Sequence, residues 1–218
     1  MDIEDLRLAV FDLFVAGRTP TSTTLADRLG VPRERVLAGL AELATQRHLA
    51  IDAAGEVTMA HPFTATPLGF SVMAADRLWW GGCAWDSFAI PHLVPSAAPV
   101  LVATECPACA TPHAWKVDRD APPPGDQVAH FLVPAARMWD DVLVTCGNQR
   151  LFCSADCVDR WLAATGNECG SVIDLATLWR LAEGWYAGRL DRGYTRREPS
   201  TAAGYLRGVG LSGAFWGL

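Results

Sequence analysis

The chain has 218 residues, half of them apolar and 19% charged, with 9 Trp, 7 Cys and a formal net charge of -6. That balance excludes a disordered or low-complexity protein and supplies enough apolar surface for one sizeable domain with a small appendage. The acidic total also argues against a nucleic-acid partner, because phosphate binding depends on a basic face.

Leu6, Val10, Leu13 and Phe14 recur at helical spacing and predict a first helix. Thr21 or Ser22 caps a second, which carries Leu25 and Leu29 and is broken by Gly30. Pro32 opens a third, with Val36, Leu37, Leu40 and Leu43 along one face. His48–Asp52 and Glu56–Ala60, joined at Ala53-Ala54-Gly55, read as a hairpin, so residues 1–62 have the pattern of a winged helix-turn-helix. Its recognition surface is poor in cations: six Arg stand against nine Asp and Glu, and the third helix offers only Arg33 and Arg35. A structural role is expected for this unit ahead of DNA binding.

Pro62 and Pro67 mark a boundary. Beyond it Leu68–Val72, Arg77–Trp80, Pro99–Thr104, Ala114–Val117, Val128–Val133 and Val142–Thr145 are predicted strands; residues 84–90, 134–140, 155–164 and 174–190 are predicted helices. The run of prolines in Ala121–Gly125 is a loop. This order predicts an α+β fold: a winged-helix-like helical unit followed by a mixed or antiparallel sheet core with flanking helices. The core is expected over residues 63–191, and residues 192–218 form a tail whose Leu211, Phe215 and Trp216 pack back onto it.

No apolar run approaches the roughly 18 residues of a membrane span. Met1–Asp5 carries three acids where an export signal needs cations, so the expected location is the cytoplasm, with no membrane partner. An odd number of cysteines in a reducing compartment points to thiols that bind metal, react or fill core space, not to a disulfide framework.

The most informative stretch is Trp79-Trp80-Gly81-Gly82-Cys83-Ala84-Trp85-Asp86-Ser87-Phe88. Two glycines permit a tight strand-to-helix turn, which places Cys83 in a first helical turn where free N–H groups and the macrodipole favour a thiolate. Asp86, three residues on, shares its helical face and can exchange a proton with the sulfur. Trp79, Trp80, Trp85 and Phe88 are expected to form a dry wall that raises the carboxyl pKa. The alternative is a buried cysteine beside a helix-capping Asp.

A second stretch runs from Val144-Thr145-Cys146 through Leu151-Phe152-Cys153-Ser154, with Trp161 further along. Together these blocks resemble the organomercurial (alkylmercury) lyase family. That family has a Cys-Ala-x-Asp segment after an aromatic strand. Later comes a Cys followed by four residues, two large apolar residues, a variable position and Ser, then a Trp. Thr104-Glu105-Cys106 through Pro112 is similar to the family's middle cysteine segment, and Thr23-Thr24-Leu25-Ala26 and Glu34-Arg35-Val36 to its helical region. The resemblance spans roughly residues 20–190.

It implies that Cys83 and Cys146 are the mercury-binding thiols, that Asp86 handles the proton and that Cys106 is structural. The implied reaction is protonolysis of a carbon–mercury bond without an organic cofactor. The implied partners are an organomercurial small molecule and, for the product, cellular thiols or a mercury-accepting reductase. Thiolate is the ligand type a very soft cation selects.

The sequence departs from that family at Cys109 and Cys153, positions normally not cysteine there. Cys106-Pro-Ala-Cys109 is a C-x2-C knuckle and Cys153–Cys157 a C-x3-C pair, so Cys106, Cys109, Cys153 and Cys157 form a candidate structural zinc site. Two alternatives remain: a non-catalytic protein holding zinc, copper or Hg(II) through these four thiols, and a metal-responsive regulator using the N-terminal winged helix. Cys169 has no partner in sequence. His61, His113 and His130 lack ligand spacing with one another, His92 reads as a turn residue beside Pro91, and Trp161, Trp179 and Trp185 read as core.

Overall fold

A computed structural model describes residues 1–198 and 201–218. Three helices open the chain: α1 (Ile3–Val15), α2 (Ser22–Leu29) and α3 (Arg33–Thr45). Each start has a local cause. The Asp2 carboxylate accepts from the Glu4 N–H at 3.0 Å, Thr21 Oγ1 accepts from the Thr24 N–H at 3.2 Å, and Pro32 precedes α3. Gly30 ends α2 in the left-handed region at φ 64°, where a side chain would be strained.

Next come β1 (Ala50–Ile51), β2 (Val57–Ala60), β3 (Phe63–Thr64), β4 (Ser71–Met73), β5 (Leu78–Gly81), β6 (Val100–Glu105) and β7 (Pro112–Val117). They build one antiparallel sheet in the order β1-β2-β3-β5-β4-β6-β7. Because β2 pairs with β3 across residues 61–62, the hairpin after the three helices is continuous with the main sheet. A second antiparallel sheet, order β10-β8-β9, comes from β8 (Val128–Phe131), β9 (Gln149–Phe152) and β10 (Ser171–Asp174).

The central helix α4 (Ala84–Leu93) is buried at every position from Ala84 to Pro91. With no solvent face over that span, α4 is enclosed between the large sheet and α7 (Leu175–Trp185), and it carries the polar Asp86 and Ser87 into the interior. The indole N–H of Trp85 donates to the Leu181 carbonyl at 3.2 Å and fixes the two helices in register. Helix α6 (Ala155–Thr165) covers β9, and α8 (Ala203–Gly208) lies in the tail. Trp216 in that tail is buried against Phe131, ring centroids 5.2 Å apart.

Two expected elements differ. Val142–Thr145 is the start of helix α5 (Val142–Gly147), not a strand. Asp141 caps it, accepting from the Val144 N–H at 3.0 Å, and this local hydrogen bond outweighs the strand preference of two valines. Residues 134–140 hold only a 3-10 turn, Ala135–Arg137. Strands β9 (Gln149–Phe152) and β10 (Ser171–Asp174) are not among the expected strands.

Candidate active site

Cys83 is the N-cap of α4, and its sulfur accepts from the Asp86 N–H at 3.4 Å. The preceding glycines are required by space, not by a left-handed φ. A Cβ on Gly81 would lie 2.1 Å from Ser87 Oγ, and one on Gly82 would lie 2.3 Å from Asp86 Oδ2. The Asp86 carboxyl therefore folds back over bare backbone at Gly82. The same carboxyl meets Cys146 of α5, 60 residues later in the chain: Cys146 Sγ lies 3.8 Å from Asp86 Oδ2. Cys83, Asp86 and Cys146 are 2%, 1% and 3% exposed and line one cavity of about 560 Å³, its mouth included.

Three further side chains complete the site, and none carries a sequence motif. Tyr186, which ends α7, donates its hydroxyl to Asp86 Oδ1 at 2.5 Å. His61, between β2 and β3, places Nε2 3.3 Å from Cys146 Sγ and 3.9 Å from Asp86 Oδ2. Arg189 is buried over the Tyr186 ring, 5.4 Å from its centroid, and anchored to the His48 carbonyl at 2.8 Å. Trp85, Trp139, Trp185 and Met138 supply the apolar lining. Of the expected dry wall only Trp85 belongs here. Trp79 is turned toward Phe63 and Phe14, Trp80 is 37% exposed, and Phe88 packs on Trp115. Strand alternation and helical rotation send neighbours in sequence to different faces.

Burial dominates the electrostatics. It pushes the Asp86 carboxyl up to about 7, against the pull of the Tyr186 and Cys83 hydrogen bonds and the Arg189 charge. Burial likewise raises Cys83 well above the usual thiol range, with Cys146 and the Asp86 charge adding to it. The expected thiolate at the helix N-terminus is thus overridden: a capping N–H does not offset removal from water. For Cys146 the Cys83 thiol is the largest influence and lowers the value, yet burial and Asp86 together win and the net shift is upward. His61 is lowered to about 3 by burial and by Arg189 and Arg196, which keeps its ring neutral. At neutral pH the site holds two thiols, a neutral imidazole and one carboxyl poised near half ionisation.

The other four cysteines converge elsewhere. The sulfurs of Cys106, Cys109, Cys153 and Cys157 all lie within 4.8 Å of one another. Cys169 is exposed and stands apart, its sulfur nearest the Gly170 carbonyl. His92 lies in α4 against Trp179, ring centroids 5.1 Å apart, and His130 accepts from the Gly170 N–H at 3.1 Å.

Two buried thiols and a buried carboxyl line one pocket on an α+β frame of antiparallel sheets, a donor set that suits a soft metal ion. The sequence model of the alkylmercury lyase family (MerB) matches residues 63–187, more than half of the chain, and the chain belongs to that family of carbon–mercury lyases. The crystal structure of the mercury-bound form of MerB2 is similar in fold, with a TM-score of 0.62 and 18% identity over 83% of this chain and 87% of that one. No curated protein matches the sequence. No helix among the described residues is long and apolar enough to cross a membrane.

Proposed function

We propose that Cys83, Asp86 and Cys146 cleave the carbon–mercury bond of an organomercurial, R–Hg–X, by protonolysis. The Cys146 thiol displaces X, which leaves with the thiol proton as HX. The Asp86 carboxylate then takes the proton of Cys83, and the second thiolate joins the mercury and pushes electron density onto the attached carbon. Protonated Asp86 delivers that proton to carbon. RH departs, Hg(II) stays on two sulfurs, and the carboxylate is regenerated. Cellular thiols or a mercury-accepting reductase would then remove Hg(II). The reading needs no organic cofactor, only two sulfurs and one acid pre-organised away from water.

The observation that carries it is the approach of Cys146 Sγ to the Asp86 carboxylate at 3.8 Å inside the pocket that Cys83 also lines. The experiment is arene release from an arylmercury salt with excess thiol present. Wild type turns over, and Cys83→Ser or Cys146→Ser loses at least about 1,000-fold, because a hydroxyl is a poor ligand for a soft ion. An inactive wild type that nonetheless binds Hg(II) would leave only a metal-binding protein.

Tyr186 tunes the acid. Its hydroxyl stabilises the ionised form of Asp86, so Tyr186→Phe raises the carboxyl pKa further. Since the free enzyme uses Asp86 as a base, kcat/KM should rise with pH through about 7 in wild type. In Tyr186→Phe that limb should move up by about one pH unit. An unmoved limb would remove Tyr186 from the proton inventory.

For residues 1–62 we infer a structural unit. Arg33, the cation expected on a recognition helix, is committed to Glu56 Oε1 at 2.9 Å and Ser22 Oγ at 2.7 Å. Arg7 of α1 is fully buried and holds the Arg189 carbonyl at 2.7 Å, which ties this unit to the back of the pocket.

A further inference from the structure

We infer that Cys106, Cys109, Cys153 and Cys157 hold a Zn(II) ion that clamps the large sheet to the small one. The four thiols come from two places. Cys106 and Cys109 stand on the turn between β6 and β7, and Cys153 and Cys157 at the junction of β9 and α6. Their sulfurs lie within 4.8 Å of one another, with Cys109 and Cys153 3.5 Å apart. A tetrahedral site with Zn–S of about 2.3 Å has sulfurs about 3.8 Å apart, so this cluster needs only small adjustments to close on an ion.

The backbone of both pairs is shaped for the task. In the β6–β7 turn the Ala110 N–H donates to the Cys106 carbonyl at 2.8 Å, and Ala110 itself is left-handed at φ 55°. A non-glycine residue holds that conformation only where its surroundings demand it. Cys157 lies in the first turn of α6, the helix end that favours an anionic sulfur.

Donors already surround the sulfurs. Arg160 Nη2 reaches Cys157 Sγ at 2.9 Å, His113 Nε2 approaches Cys153 Sγ at 3.3 Å, and Thr111 Oγ1 lies 3.1 Å from Cys109 Sγ. Four thiolates around a divalent ion leave two negative charges, and the Arg160 cation sits where it offsets part of them. Closed tetrahedral sulfur coordination is the arrangement that suits zinc.

The fold has use for such a clamp. The apolar support at this corner is a small satellite core of Phe152, Val158 and Leu162 with Cys106 and Cys157, separate from the main core. The strand it anchors, β9, begins three residues after Cys146, and its first residue, Gln149, lines the catalytic cavity. The ion would therefore fix the far end of the segment that carries a reacting thiol, without touching substrate.

The test is metal content of the full chain, purified reduced and passed over a chelating resin. Wild type, Cys83→Ser and Cys146→Ser are expected to keep one zinc per chain. Cys109→Ser and Cys153→Ser should keep less than about a tenth of it and melt about 10 °C lower. If those variants fail to fold, cobalt reconstitution of wild type decides: an intense visible spectrum of a tetrahedral cobalt thiolate supports the site. Wild type that takes up neither zinc nor cobalt after full reduction overturns the inference, as does zinc retained in Cys109→Ser and Cys153→Ser. Loss of zinc from Cys83→Ser and Cys146→Ser but not from the other pair would place the ion in the catalytic pocket, and would overturn it too. None of these readouts depends on lyase activity, so failure here and failure of the proposed reaction are separable.

Discussion

Asp86→Asn is expected to capture mercury normally and to release hydrocarbon about 1,000-fold more slowly, the span a positioned acid and base contributes. Asn has the shape of Asp, and its carbonyl oxygen can still accept the Tyr186 hydroxyl that now lies 2.5 Å from Oδ1. What it cannot do is carry a proton from a thiol to a carbon. Single-turnover arene release, set against the ultraviolet absorbance of thiolate-bound mercury, separates the two events. A release rate within tenfold of wild type would remove Asp86 from the reaction.

Misfolding predicts a different companion result. The folded-state pKa of Asp86 is raised to about 7 by burial, so the folded chain binds this proton more tightly than the unfolded one. Its stabilising contribution is present below the unfolded value, is lost as pH rises from there through about 7, and is gone above that. Asn carries no charge to bury, so above pH 7 the variant should melt at or above the wild-type temperature while being catalytically dead. A lower melting temperature at that pH would contradict this account.

Gly82→Ala is expected to lower turnover about 100-fold with the fold retained. The added methyl would stand 2.3 Å from Asp86 Oδ2 and 3.3 Å from the Met59 terminal carbon. Something must move, and the carboxyl is the group at closest approach. A displacement near 1 Å of a proton donor from its carbon costs on this order. Gly204→Ala is the control, since a Cβ there meets nothing within 4 Å. Crystallography or the pH profile would show the shifted carboxyl, and wild-type kinetics in Gly82→Ala would show that turnover does not depend on its exact position.

Much of this protein was readable along the chain because the causes are local. Helices α1 to α3 follow from apolar spacing and from caps at Asp2 and Thr21. The Gly81-Gly82-Cys83-x-x-Asp86 run places a thiol and a carboxyl one helical turn apart wherever the helix lies. The two CxnC pairs announce paired sulfurs in the same way. His61, Tyr186 and Arg189 were not readable. Each is a single residue of a common type, sitting respectively between two strands, at a helix end and in a loop, and no spacing links them to Cys83 or Cys146.

The two valines of α5 show the converse: their residue type favours a strand, and a neighbouring Asp cap decides otherwise. The direction of the thiol titrations turned on burial as well. A helix N-terminus, visible in the sequence, favours thiolate, but the depth to which α4 is enclosed by the sheet and α7 reverses the sign.

The chain by itself thus determined which reactive atoms exist and how those within a helical turn of one another are aimed, because bond geometry and hydrogen bonds of short span set those relations. Only the tertiary structure decided that Cys146 faces Asp86, that Tyr186 and His61 join them, and that four other sulfurs meet at the corner between two sheets. Those meetings depend on how separate elements bury their apolar faces against each other, a property of the packed whole that no short window of residues contains.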